Sequence, residues 1–200
     1  MQRGWADSRA AAFTSVTEII AHLQQTQGSI SYILENVPAV LNYPEITDAL
    51  GQPVLLKAHM LGSTARRNTA IWTNAAGLHA EWQAVELAYD ASSAPTVQET
   101  LNKHNFKEWQ TRGDWQTILP KFVAKTNSWA FTNKGTGMLL HNGVLMEPSP
   151  DVREACMGYE VGTTSGDDIS PAGLRHSVLG AAIDCNLMKW IIKKITECFK

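Results

Sequence analysis

Near the start of the chain, Phe13, Val16, Ile19, Ile20 and Leu23 recur every three or four positions, which predicts a helix with one buried face, closed by the polar run 24–28. Residues 31–37 follow as a β-rich stretch stopped by Pro38, so a helix feeding a buried strand is expected, half of an αβ unit. Pro44–Leu50, ended by Gly51, predicts a short helix; 53–58 and 69–73 predict two further strands. Residues 151–157 suggest another short helix and 158–173 a Gly/Ser/Thr/Asp loop. From 174 to 199, Leu179, Ala182, Ile183, Leu187, Trp190, Ile191 and Ile195 keep a helical period, with Lys189, Lys193 and Lys194 outside it. One long terminal helix is expected, covering the sheet with Trp190 and Ile191 inward.

Between these regular ends the texture changes. Residues 75–150 carry Trp82, Trp109, Trp115 and Trp129 among many polar positions, with little period, and this region has the look of an insert. Within 101–134 the bases are Lys103, Lys107, Arg112, Lys121, Lys125 and Lys134, against the acids Glu108 and Asp114. In a chain of net charge -2 this is a local basic patch interleaved with aromatics. Such a patch suits a phosphate backbone, and it equally describes a solvated surface over buried tryptophans. Hydrophobic residues make up 44% and charged ones 18% of the 200, enough to bury a core and inconsistent with disorder. No run approaches the ~20 apolar residues of a membrane span. Three cysteines, Cys156, Cys185 and Cys198, do not make a disulfide framework. They read as small core residues of a protein in a reducing, intracellular compartment.

Three groups of residues could carry chemistry. Glu35-Asn36-Val37 ends the first predicted strand, and ligands gather at strand ends in open α/β sheets. Partial desolvation behind Ile33 and Leu34 would favour a protonated carboxyl able to give its proton near neutral pH. An ordinary strand-end glutamate has the same local sequence. Arg66-Arg67, just before the strand at 69–73, can fork onto phosphates or a base edge, or be a charged turn. His176 and Asp184 superficially pair as zinc ligands. Their spacing is one residue too long for the zinc D,D-peptidase pattern, and a third ligand is not visible, so no metal is expected. P-loop, Gly-x-Gly-x-x-Gly and Gly-x-Ser-x-Gly motifs are missing from the sequence.

The order of the pieces carries a resemblance. Residues 29–36 (SISYILEN) with Val37, then 61–74 (LGSTARRNTAIWTN), then 148–159 (PSPDVREACMGY), then 175–180 (RHSVLG) stand in sequence around the basic insert. Residues 3–13 (RGWADSRAAAF) precede them. Together they resemble the later part of a cytosine-5 DNA methyltransferase, closest to the de novo branch. The resemblance implies an α/β fold: a partial Rossmann-like methyltransferase sheet, an inserted small target-recognition region and a long C-terminal helix. The segments would be 1–74, part of the catalytic region; 75–147, the target-recognition insert; and 148–200, the end of the catalytic region.

The family extrudes cytosine, adds a cysteine thiolate to C6 and moves a methyl group from S-adenosyl-L-methionine to C5. By resemblance Glu35, with Asn36, would protonate or hydrogen-bond N3, and Arg67 would be the first arginine of the Arg-x-Arg pair. Arg66, Lys121, Lys125 and Lys134 would hold DNA, and Gly180, Ala182 and Ile183 would contact the cofactor. The second arginine of the pair is Thr69 here, the glutamine before it is Ala65, and the closing Gly-Asn is Gly180-Ala181. The family's cofactor strand and Pro-Cys loop would lie before these segments. The chain is therefore expected to be inactive by itself and to need DNA plus an N-terminal half or a homologue as partners, in the nucleus if eukaryotic. The alternative is a catalytically dead DNA- or partner-binding module derived from the family.

Overall fold

The computed structural model describes residues 8–28, 30–126, 128, 135–166 and 172–198, with side chains described from 13 to 197. Lys134, Trp129 and residues 1–7 of the N-terminal motif lie outside the described residues. Helix α1 (Ser8–Gln27) leads to β1 (Ile33–Asn36), and a 3-10 turn at Pro38–Asn42 leads to α2 (Pro44–Leu50). Strand β2 (Val54–Lys57), a 3-10 turn at Ala58–Leu61 and β3 (Asn68–Thr73) follow. Among the described residues these strands form one sheet in the order β1-β3-β2, antiparallel throughout. Strand β3 is central and apolar on both sides because helices cover both sides. Ala70 and Trp72 face Phe13 of α1 and Ile46 of α2. Ile71, with Val54 and Leu56, faces the other way, onto the helices described next. The position expected to be a buried strand, β1, is instead an edge. Ile33 and Glu35 are exposed, because helices cover β3 and leave the outer strand half bare.

The region read as an insert is more helical than its sequence suggests. Helix α3 (Leu78–Ala88) sends Leu78 and Trp82 into the core beside β2 and β3. Helix α4 (Val97–Lys103) starts at a reciprocal cap, in which Thr96 accepts from the Glu99 N–H and Glu99 accepts from the Thr96 N–H. A second small sheet, β4 (Trp109–Gln110), β5 (Leu139–His141) and β6 (Val144–Met146), turns at Asn142-Gly143, both with positive φ, the pairing that a tight hairpin requires. These elements share one core with the helix that follows. Val97, Leu101, Trp109, Leu119, Phe122 and Leu139 pack on Val152, Cys156 and Met157 of α5 (Pro150–Cys156) and its end.

The terminal helix is split. Helix α6 (Ala172–Ala181) stops, and α7 (Cys185–Cys198) starts afresh. The reason is Asp184. Its carboxylate Oδ1 accepts the N–H groups of Asn186 and Leu187, which makes it the N-cap of a new helix rather than a residue within an old one. Leu187, Ile191 and Ile195 of α7 then close the core over β2 and β3, and Trp190 meets Trp82 edge to face at 5.4 Å.

Candidate active site

Strand β1 ends beside the beginning of β3, with Glu35 paired opposite Ile71 and Asn36 opposite Ala70. This register puts Glu35 on the same side of the sheet as Thr69 and Arg67. The Thr69 hydroxyl reaches both the Glu35 carboxylate and the Asn36 carbonyl, the latter at 3.0 Å, and its single proton serves one at a time. The Asn36 side-chain oxygen accepts the Val37 N–H at 2.8 Å, so that amide shapes the turn after β1. Glu35 is exposed, and the desolvation expected from a buried strand is not present.

Arg67 departs further from expectation. It is 5% exposed, and its two terminal nitrogens donate to the carbonyls of Gly180 and Ala181 at 2.9 and 3.0 Å. These are the last carbonyls of α6, which lack partners within the helix, and a cation there also suits the helix dipole. Arg67 is thus an anchor for the α6–α7 corner and not a side chain free to meet a base. Burial pushes its guanidinium below the ordinary value, and the charge of Glu35, then of Asp184, opposes that. Lys121 is exposed overall, yet near enough for desolvation and Arg67 to lower its pKa while Glu35 resists. Arg66 and Lys125 are exposed.

The α6–α7 corner is tightly built. A Cβ on Gly180 would lie 2.1 Å from the Ala124 nitrogen, so only glycine lets α6 rest on segment 123–124. Ala182 packs on the core of the second sheet and Ile183 on the core of the first. The Tyr159 hydroxyl donates to the Ile183 carbonyl, and the Ala182 N–H is donated to Val178. Each of the three positions expected to touch a cofactor therefore has a backbone polar atom engaged within the chain, and none has a polar side chain. They fit as an apolar wall, and do not fit the charged groups of S-adenosyl-L-methionine.

Asp184, which the sequence raised only as a zinc ligand, is fully buried here. It accepts from the Ser63 hydroxyl at 2.8 Å, and its second oxygen has no hydrogen-bond partner among the described residues. Burial pushes its pKa up to about 6. His176 lies in the field of Arg153 and Glu147 instead, and among the described residues no group of three ligating side chains could hold a metal. Sequence reasoning missed the structural part of Ser63 and Tyr159, which carry no local signal. It could have found Asp184 as a cap, since Asp before a new apolar turn is a helix start.

No protein-family model matches the chain, and no curated protein sequence does. Solved structures do. A methyltransferase of Entamoeba histolytica, EhMeth, aligns at a TM-score of 0.56 and 13% identity, covering 92% of this chain and 69% of that one. The S. pombe Dnmt2 methyltransferase aligns at 0.58 and 13%, covering 100% of this chain and 74% of that one. At such identity the common property is architecture, and a mixed α/β chain with small sheets and a terminal helix on the main one has the fold of methyltransferases.

Proposed function

We propose that this chain is the base- and DNA-holding portion of a cytosine-5 DNA methyltransferase. It would act with a part that carries the Pro-Cys nucleophile and the charged contacts to S-adenosyl-L-methionine, which supplies the methyl group. The observation that supports this reading most is Glu35, a carboxyl at the end of β1, approached by the Thr69 hydroxyl and within the fields of Arg67 and Lys121. An extruded pyrimidine seated on Glu35 would displace water from the carboxyl, which favours the neutral, proton-donating form. The base itself would then supply the desolvation that the edge strand lacks. Lys121, whose charge lies within reach of Glu35, and exposed Lys125, four residues on, would serve the flanking phosphates. Cys156 argues for a separate nucleophile. It is fully buried and pushed up to about 11, the opposite of an activated thiolate.

The test is equilibrium binding of a fluorescent duplex holding one mismatched cytosine, compared with the fully paired duplex. A mismatched base costs less to extrude, so it should bind more tightly. Glu35→Gln should reduce that preference about fivefold or more, roughly one hydrogen bond. Lys121→Ala should weaken both duplexes. Failure to bind either duplex would remove the proposal.

The second reading, an inert binding module, is favoured by Arg67, whose terminal nitrogens are engaged with α6, and by Thr69 in place of an arginine. It expects Lys121→Ala to weaken binding while Glu35→Gln changes nothing.

A further inference from the structure

A groove on the other side of the chain from Glu35 is used by none of this. Arg66 and Asn68 leave the backbone opposite to Arg67 and Thr69, as alternate residues of an extended segment must. They open into a cavity of about 650 Å³ closed by Tyr89, Pro95 and Thr117. A second cavity, of about 380 Å³, holds Lys103, His104 and Lys189. Pro95 lines both, so the two cavities adjoin at that residue.

The charges along this path are unspent. Arg66, Lys103 and Lys189 are exposed, and none of their side chains makes a hydrogen bond or ion pair among the described residues. Two carboxylates on the path oppose them: Glu160, and Glu99, which the Thr96 N–H and hydroxyl hold in its ionised form. Burial, Arg66 and then Lys57 hold the His59 imidazole below its ordinary pKa, as expected where cations crowd one wall. The ring of His59 meets Tyr89 edge to face at 5.6 Å and fixes an aromatic surface beside Arg66.

We propose that the two cavities form one track for a single-stranded nucleic acid, its phosphates meeting Arg66, Lys103 and Lys189 and a base lying against Tyr89. Free cations in two cavities that share Pro95 suit several phosphates of one strand, and an aromatic wall accepts any base. A compact anion would engage one end only. The site is separate from the Glu35 site and stands or falls without it.

Anisotropy of a labelled twelve-nucleotide oligothymidylate, titrated at several salt concentrations, tests the track. Three phosphate contacts on a single strand give a slope of log K against log salt of about −2. Arg66→Ala, Lys103→Ala and Lys189→Ala should each weaken binding about 3–10-fold and each flatten the slope by about 0.7. Arg66→Lys should keep the slope, which separates charge from folding. Glu160→Gln should tighten binding about twofold, and Lys194→Ala, at a lysine paired with Glu81 and lining neither cavity, should leave it within twofold. Slopes equal across all variants, loss of binding in Lys194→Ala equal to that in the three cavity variants, or binding of adenosine monophosphate without the oligonucleotide would each overturn the proposal. A duplex assay that fails while this one succeeds would remove the methyltransferase reading and leave the track.

Discussion

At Asp184 a single side chain does two opposed things. It caps α7 through two N–H groups and bonds Ser63, and it keeps a carboxylate out of water. Burial wins, since its pKa rises from 3.8 to about 6. A raised pKa means that the folded state binds the proton more tightly than the unfolded chain does, so this group disfavours folding above about pH 6 and ceases to do so as pH falls toward 4. Two units correspond to about 3 kcal/mol. Asp184→Asn, which can still cap and still meet Ser63, should therefore be more stable than wild type at pH 7.5, and the difference should shrink to roughly a third by pH 4.5 and approach zero near pH 3 in urea unfolding. Comparing the two proteins removes the contribution of Glu154, whose pKa is lowered and whose support is lost as pH falls. Arg67 is the complementary case. Arg67→Met should cost roughly 2–4 kcal/mol, because two helix-end carbonyls and Asp184 lose their cation together. Exposed Glu35→Gln should stay within about 0.5 kcal/mol in the same denaturation.

Among the elements, α6 is decided by contact and not by propensity. Alanine is worth about 0.5–1 kcal/mol over glycine within a helix. At position 180 that gain meets a backbone only 2.1–2.5 Å from the new Cβ. Gly180→Ala should lower the melting temperature by roughly 4–8 °C, about 2 kcal/mol in a chain of this size. Trp190→Ala in α7 should cost about 1–3 kcal/mol, less than full burial of a tryptophan would suggest, because the ring is half-exposed and its main packing is on Trp82.

Element by element, the sequence was readable where local signals are complete. Pro44 and Gly51 punctuate α2, and the run Ala70-Ile71-Trp72 is apolar on both sides because it is central. The edge position of β1 was not readable, since Ile33-Leu34 looks alike at an edge or in the middle. The break before Asp184 was hidden by Ala181-Ala182-Ile183, which continue the helical period. The Arg67 clamp joins residues 113 and 114 positions apart and leaves no local trace.

For the whole molecule, stability rests on helices gathered from both ends of the sequence over one antiparallel sheet. Leu187, Ile191 and Ile195 of α7 are buried against β2 and β3. Exposing three such side chains costs about 5–9 kcal/mol, much of what a domain has. A chain stopped after residue 184 should show no cooperative thermal transition in near-ultraviolet circular dichroism. Net charge is only -2, so any affinity for nucleic acid must come from how Arg66, Lys121 and their neighbours are distributed, and must fade with salt.

The sealed sulfur of Cys156 lies where the core of the smaller sheet meets α5. An alkylating reagent can reach it only in molecules that have transiently come apart there, and only after the thiol has lost its proton in water. Its labelling rate is therefore a clock for breathing of that junction, readable by mass spectrometry in the unmodified protein, and any ligand that holds the two regions together would slow it.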